Sequence, residues 1–229
     1  MKAMILAAGR GERMRPLTDT TPKPLLMVGD YRLIEYHLFN LAAAGFRDVV
    51  INVAWLGQQI IDVIGNGEKY NLNIDYSNEG EHALETGGGI YNALPLLGDD
   101  PFLVVNGDIW SDYPYEKLRS LKLKDKAHLV LVNNPEHNTQ GDFSIVNDRL
   151  VNATDERFTF SGIGVYSKDF FDNSMNGKFP LAPMIREYIA EDKISAELYQ
   201  GKWLDIGTPQ RLEGLKKTLE KIPDKKTSQ

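Results

Sequence analysis

The residues best placed to do chemistry begin near the N-terminus, in Leu6-Ala7-Ala8-Gly9-Arg10-Gly11-Glu12-Arg13-Met14-Arg15-Pro16-Leu17-Thr18, followed by Pro22-Lys23-Pro24-Leu25. An apolar run that opens into glycines lets backbone N–H groups approach an anion without a Cβ in the way. Arg13 offers planar, multidentate donors to phosphate oxygens, and Lys23 a compact mobile cation. The loop lacks the Gly-Lys-Ser/Thr ending of a Walker A motif, and Gly9 and Gly11 do not grow into a G-x-G-x-x-G, so a P-loop NTPase and a dinucleotide-dependent dehydrogenase are both disfavoured. Two acidic residues stand at similar apolar-to-polar transitions. Asp108 follows Val104-Val105-Asn106-Gly107, and Asp205 lies in Trp203-Leu204-Asp205-Ile206-Gly207. An aspartate near a strand end is commonly a turn former. It is also the residue type that magnesium takes, one or two at a time, together with substrate phosphates and water.

The elements that must position these groups alternate. Lys2–Ala8 reads as a buried strand and Gly9–Arg15 as a polar loop. Apolar Ile34, Leu38 and Leu41 suit an amphipathic helix over 32–44, which Gly45 can stop. Asp48–Val53 reads as a strand and Leu56–Ile64 as a helix. Asn73–Ser77 and Phe102–Asn106 are further strands, separated by a glycine-rich turn and a short helix from about Ile90. This spacing predicts an α/β fold with a doubly wound, mostly parallel Rossmann-like sheet covered on both faces. Ligands of such sheets sit outside the carboxyl ends of the strands, where the glycine loop and Asp108 should lie. Beyond residue 125 the strand candidates are His128–Val132, Phe143–Val146, Phe158–Tyr166 and Ala196–Tyr199, with a helix over Pro183–Glu191. This part is expected to extend the sheet and wall a second pocket. Pro209 suits the first turn of a last helix. A single domain over 1–222 and a frayed tail over 223–229 are expected.

Composition narrows the classes. The 229 residues are 42% hydrophobic and 25% charged, an ordinary globular balance. A net charge of −6 gives no footprint for nucleic acid. The absence of cysteine excludes disulfides, thiolate catalysis and cysteine zinc sites. His37, His82, His128 and His137 are scattered without zinc-like spacing, and no nucleophile elbow supports a serine hydrolase. The apolar start is too brief for a signal peptide, and no stretch approaches the ~20 apolar residues of a membrane span, so a cytoplasmic location is the default. Lys216, Lys217, Lys221, Lys225 and Lys226 read as a solvated C-terminal face.

Together, Leu-Ala-x-Gly-x-Gly-x-Arg with Pro-Lys-Pro-Leu, Val104 to Asp108, and Trp203 to Pro209 resemble the signature of the sugar-nucleotide pyrophosphorylases, the sugar-1-phosphate nucleotidyltransferases. The resemblance runs over nearly the whole chain. It implies a nucleoside triphosphate and a sugar 1-phosphate as substrates, pyrophosphate as product and Mg2+ as cofactor. It makes Asp108 and Asp205 the metal ligands and Arg13, Lys23, Asp108 and Asp205 the catalytic set. The compact length, with Leu84-Glu85-Thr86-Gly87-Gly88-Gly89-Ile90 and Phe160-Ser161-Gly162-Ile163, most resembles the uridylyltransferases that act on N-acetylmuramate 1-phosphate in peptidoglycan recycling. Mannose-1-phosphate guanylyltransferases are the competing branch.

On this resemblance the nucleotide is expected to meet Ala8, Gly9, Gly11, Glu12, Arg13 and Lys23. Its base should lie near Glu79, Gly87 and Gly88, with Gly87, Gly88 and Gly89 leaving main-chain groups exposed. The sugar side is expected to draw on Asn106, Gly141, Asp142, Ser161 and Gly162, with Trp203 either walling the sugar or packing in the core. The chain departs from larger relatives in lacking a Glu-Lys-Pro block whose lysine contacts the sugar phosphate. Arg157 is the cation that the corresponding stretch, Asn152 to Arg157, offers instead. A reading from another class is a catalytically silent nucleotide-sugar sensor. The joint presence of Arg13, Lys23, Asp108 and Asp205 argues against it, since binding alone does not need that set.

Overall fold

A computed structural model of the protein describes residues 1–152 and 155–220. In its first strand, β1 (Ala3–Leu6), Ala3 and Ile5 face one hydrophobic cluster and Met4 the other, as the two-residue period of a strand buried on both faces requires. The remaining strands are β2 (Met27–Val28), β3 (Tyr31–Arg32), β4 (Asp48–Val53), β5 (Asn73–Asn78), β6 (Phe102–Asn106), β7 (Ile109–Ser111), β8 (Ala127–Val132), β9 (Ser144–Val146), β10 (Arg149–Val151), β11 (Thr159–Tyr166), β12 (Ile194–Tyr199) and β13 (Trp203–Asp205). The helices are α1 (Leu33–Ala43), α2 (Gly57–Ile64), α3 (Glu85–Leu97), α4 (Glu116–Arg119), α5 (Ala182–Ala190) and α6 (Pro209–Glu220).

Among the described residues, nine strands form one sheet in the order β5-β4-β1-β6-β11-β8-β12-β10-β9. The pairings make every strand run the same way except β11 and β10. The α/β, mostly parallel architecture expected from the alternation is present, and the second half extends the sheet as expected. Leu38 and Leu41 of α1 and Ile60 and Ile64 of α2 fill one face. Ile90, Ala93 and Leu97 of α3 and Ile185 and Tyr188 of α5 fill the other. At roughly 1.5–3 kcal/mol for each fully buried large apolar side chain, these two layers hold the sheet rigid beneath its ligand-facing edge.

Two features were not anticipated. The strands β7 and β13 form a separate two-stranded antiparallel ladder, off the main sheet. A third hydrophobic cluster packs beneath it, joining Met14, Leu26, Leu33, Trp110, Ile206, Leu212 and Leu215. It fastens α6 and the ladder to the glycine loop.

The glycine-rich turn expected before Ile90 is corrected. Gly87, Gly88 and Gly89 lie inside α3 and are buried. Glycine's low helix propensity argued for a turn, but tertiary packing overrides it here. The expected tail at 223–229 and Lys221, Lys225 and Lys226 fall outside the described residues.

Candidate active site

The glycine loop leaves the carboxyl end of β1 and crosses a cleft of about 420 Å³. Ala8, Gly9, Gly11, Glu12, Arg13, Lys23, Glu79, Asn106 and Asp108 all line it, with Asn52, Ala83, Glu85, Thr86 and Gly207 beside them. Gly11 sits at φ 67°, where a side chain is strained, and a Cβ there would press on Thr18 Cγ2 at 3.1 Å and Lys23 Cβ at 3.2 Å. A single glycine therefore lets the loop reverse while the lysine stem passes alongside. Thr18 Oγ1 donates to the Gly11 carbonyl at 2.8 Å, and Trp55 Nε1 donates to the Thr18 carbonyl at 3.2 Å, which ties the loop to the end of β4.

The floor carries Asp108. Asn106 ends β6, and the chain turns out of the strand at Gly107, so Asp108 does not continue its alternation. Gly107 donates to the Leu6 carbonyl at 2.9 Å, and a Cβ at Gly107 would stand 2.6 Å from that oxygen. Both Asn106 and Asp108 still reach the cleft. The β7:β13 ladder pairs Asp205 with Ile109, and Ile206 N–H donates to the Asp108 carbonyl at 2.8 Å. Two aspartates nearly a hundred residues apart are thus neighbours.

Each is held by a cation. Lys23 Nζ donates to Asp108 Oδ2 at 2.7 Å from a buried side chain. Arg211 Nη1 donates to Asp205 Oδ1 at 2.5 Å, with His137 Nε2 3.8 Å from Oδ2. A Cβ on Gly207 would meet Asp205 Oδ1 at 2.7 Å, Arg211 Nη1 at 3.0 Å and Arg13 Nη2 at 3.1 Å, so Arg13 joins this group. Beneath it, His37 is fully buried, hydrogen-bonds to the backbone of Ile109 and, among the described residues, has no partner at Nε2. Burial lowers its pKa to about 4, against the pull of that hydrogen bond and of Asp108, so the ring stays neutral near pH 7.

Two carboxylates supply hard oxygen ligands of the kind a magnesium ion takes. Among the described residues no cluster of three or more His, Cys, Asp or Glu side chains could hold a metal. An ion at Asp108 and Asp205 would therefore complete its shell with substrate oxygens and water, which suits magnesium at a phosphate site. The donor set fits.

At the far wall, Asn52 accepts from Ala7 N–H at 2.7 Å and donates to Glu79 Oε1 at 2.6 Å, while Leu84 N–H donates to Glu79 Oε2 at 2.6 Å. Burial raises the Glu79 pKa, opposed by these last two hydrogen bonds.

The remaining expected site residues are placed differently. Gly87 and Gly88 stand behind the wall formed by Ala83, Glu85 and Thr86, with no exposed backbone for a base edge. Gly162 packs on Asn106, whose Nδ2 would lie 2.6 Å from its Cβ. Ser161 is buried and its hydroxyl serves the bulge between Phe160 and Ile163, donating to the Val130 carbonyl at 2.6 Å. The Asp142 carboxylate accepts from Asn138 Nδ2 and Phe160 N–H, and Gly141 turns against Arg157. The side chains of Ser161 and Asp142 are thus engaged within the protein. Trp203 Nε1 donates to the Ser161 carbonyl at 2.9 Å and packs against the core, the second of its two readings. Arg157 is exposed and outside the cleft lining.

Sequence reasoning missed Asn52, Arg211 and His137. Arg211 had a usable signal: a cation in the first turn of the helix that follows Asp205.

The chain resembles known proteins along its length. The family model described as nucleotidyl transferase matches residues 2–222. The chain is 51% identical over 221 residues to the N-acetylmuramate alpha-1-phosphate uridylyltransferase of Neisseria meningitidis serogroup B, spanning 93% of this chain and 96% of that protein. It is 32% identical to the protein of the same name from Caulobacter vibrioides, over 91% and 92% of the two chains. It is also 32% identical to a mannose-1-phosphate guanyltransferase of Yarrowia lipolytica, but spans only 61% of that protein. Among solved structures, a Bacillus anthracis protein assigned as a glucose-1-phosphate thymidylyltransferase, in complex with sucrose, superposes with a TM-score of 0.86 at 21% identity, over 98% of this chain and 97% of that one. With a glycine loop that leaves the end of β1 to line a cleft, and a family match spanning nearly all its residues, the chain belongs to the nucleotidyl transferase family.

Proposed function

We propose that the protein transfers the uridylyl group of UTP to N-acetylmuramate 1-phosphate, giving the UDP-sugar and pyrophosphate. The observation that carries this reading is that Arg13, Lys23 and Asp108 line one cleft, with Asp205 held next to Asp108 by the β7:β13 ladder, in a chain 51% identical to a protein named for that reaction.

A sugar-phosphate oxygen attacks the α-phosphorus in line. One P–O bond forms as the bond to pyrophosphate breaks. The nucleophile is already anionic, so no general base is needed, and catalysis reduces to positioning and charge neutralisation. Magnesium bound at Asp108 and Asp205 would supply Lewis acidity and orient both phosphates. The Lys23 ammonium screens the approach of the two anions, and Asp108 holds it at the cleft floor. Arg13 faces the pyrophosphate as negative charge grows there. Arg211 fixes the orientation of the Asp205 carboxylate. The Asn52–Glu79 pair closes the wall on the nucleobase side.

UTP is a cytoplasmic metabolite, and the proposal places the reaction there, in peptidoglycan recycling. Among the described residues no helix is long and apolar enough to cross a membrane.

The test is a matrix of four nucleoside triphosphates against the 1-phosphates of N-acetylmuramate, N-acetylglucosamine, mannose and glucose, with Mg2+, read by pyrophosphate release. The expected maximum is UTP with N-acetylmuramate 1-phosphate. Preference for GTP with mannose 1-phosphate would overturn the substrate assignment and leave the chemistry standing. Absence of pyrophosphate in every combination would favour a sensor.

A further inference from the structure

Gly87 and Gly88 offer no exposed backbone, and their surroundings show what the missing side chains make room for. A Cβ on Gly87 would stand 2.6 Å from Cδ2 and Cε2 of Phe179 and 3.0 Å from its carbonyl oxygen. A Cβ on Gly88 would stand 2.2 Å from the carbonyl oxygen of Gly177. Two main-chain hydrogen bonds join the same segments: Phe179 N–H to the Leu84 carbonyl at 3.1 Å, and Gly88 N–H to the Phe179 carbonyl at 3.0 Å. The Phe179 ring meets Tyr91 of α3 edge-on, with centroids 6.3 Å apart, and Lys178 Nζ lies 3.5 Å from Glu85 Oε1. Residues 177–179, which lie just ahead of α5, are thus docked on the first turns of α3 through a gap that only glycine leaves.

The docked turn is strained and faces the cleft. Glu85 begins α3 at φ 62°, a left-handed conformation that a non-glycine residue holds only when its surroundings impose it. Ala83, Glu85 and Thr86 form the cleft wall next to Glu79, and Leu84 N–H fixes the Glu79 carboxylate. None of residues 177–179 lines the cleft.

We propose that residues 177–179 are a positioning strap for the nucleotide-side wall, holding the strained turn at 83–86 in the shape that receives the triphosphate substrate. The proposal rests on the reading above that this wall faces the nucleotide. It assigns the strap an effect on nucleotide affinity and none on the phosphoryl chemistry, because Asp108, Asp205 and Lys23 are held by other elements.

The experiment compares Gly87→Ala, Phe179→Ala and the double variant in three measurements. These are steady-state KM for each substrate, kcat, and hydrogen exchange at residues 84–90 of the ligand-free protein. If the wall is correctly formed only about a tenth of the time in Gly87→Ala, KM for UTP rises about tenfold. KM for the sugar phosphate and kcat stay within about twofold, and the Gly88 amide exchanges faster. In the double variant the new methyl enters space the ring has left, so KM for UTP falls back toward the wild-type value, a non-additivity expected only of groups in contact. An unchanged KM for UTP in Gly87→Ala overturns the proposal. Equal rises in both KM values do so as well, since they would mark a structural lesion. If another triphosphate is preferred, the substrate assignment fails and the same comparison is made with that nucleotide. If no triphosphate is turned over, direct binding of UTP replaces KM, and unaltered binding despite faster exchange overturns the strap.

Discussion

Asp205→Asn separates the acidic pair's role in catalysis from its role in holding the fold. The amide preserves the shape of the side chain and its place in the β7:β13 ladder, so the main loss to the folded state is the ion pair with Arg211. Those side chains are 26% and 23% exposed, so water reaches the pair and its contribution to stability is about 1 kcal/mol or less. For a chain of this size that lowers Tm by about 2–4 °C. The chemical loss is of another order. On the proposed metal assignment, removing one of two anionic ligands withdraws several kcal/mol of transition-state charge stabilisation, and ~4 kcal/mol corresponds to about a thousandfold in kcat. Arg211→Ala leaves the carboxylate in place but unoriented, and such supporting partners are worth about 10–100-fold. The expected order of activity is therefore wild type, Arg211→Ala, Asp205→Asn, measured by pyrophosphate release over a range of Mg2+ concentrations, with Tm recorded for each protein. Turnover of Asp205→Asn within tenfold of wild type and an unchanged Mg2+ dependence would refute the metal assignment. A loss of fold large enough to explain the inactivity would refute the separation of the two roles.

Three further outcomes are expected. Arg13→Ala should lower kcat by roughly 10²–10³, about 2.7–4 kcal/mol for one donor to developing charge, with Tm nearly unchanged because the side chain is exposed; a change in KM alone would assign it to ground-state binding. Asn52→Leu leaves the Ala7 N–H unsatisfied and frees Glu79, so it should cost about 1–3 kcal/mol in urea unfolding and weaken nucleotide binding; unaltered affinity would detach this wall from the nucleotide. Glu35 is buried, which raises its pKa, yet hydrogen bonds from Lys69, the Arg32 backbone and Tyr70 outweigh this and hold it at about 2, below its ordinary 4.5. The unfolded chain takes up this proton first, so the stability Glu35 contributes is complete above pH 4.5 and is lost as pH falls toward 2. Glu35→Gln should flatten that part of the acid-unfolding curve, and an unchanged slope between those pH values would contradict the assignment.

The sheet was readable because its central strands are long, apolar and separated by turn residues: Asp48–Val53 and Phe102–Asn106 carry their boundaries in their composition. The site was readable where chemistry and local sequence coincide, as at Gly11, Arg13 and Lys23. It was unreadable where distant contacts decide. The ladder that joins the aspartates is three residues on each side, too short for any periodicity. Asn52 sits in an apolar strand, and nothing nearby announces that its amide serves Ala7 and Glu79. The glycines of α3 read as a turn because what requires their smallness is distant in sequence: for Gly87 and Gly88 a segment some ninety residues downstream, for Gly89 the Asn52–Glu79 pair. Ser161 and Asp142 have the chemistry of sugar ligands, but each is engaged by distant groups that the sequence alone could not place, the Ser161 hydroxyl by the Val130 carbonyl and Asp142 by the Phe160 N–H.

The main sheet receives its last strand at Ile194–Tyr199, whereas the second aspartate arrives only with Trp203–Asp205. All nine strands of the main sheet are therefore encoded before half of the acidic pair is reached. A stop codon just after residue 200 would leave every strand of the main sheet encoded but remove Ile206, Leu212 and Leu215, the apolar side chains against which the glycine-loop residue Met14 packs. On the proposed function, the acidic pair is completed by a short return of the chain rather than by completion of the scaffold.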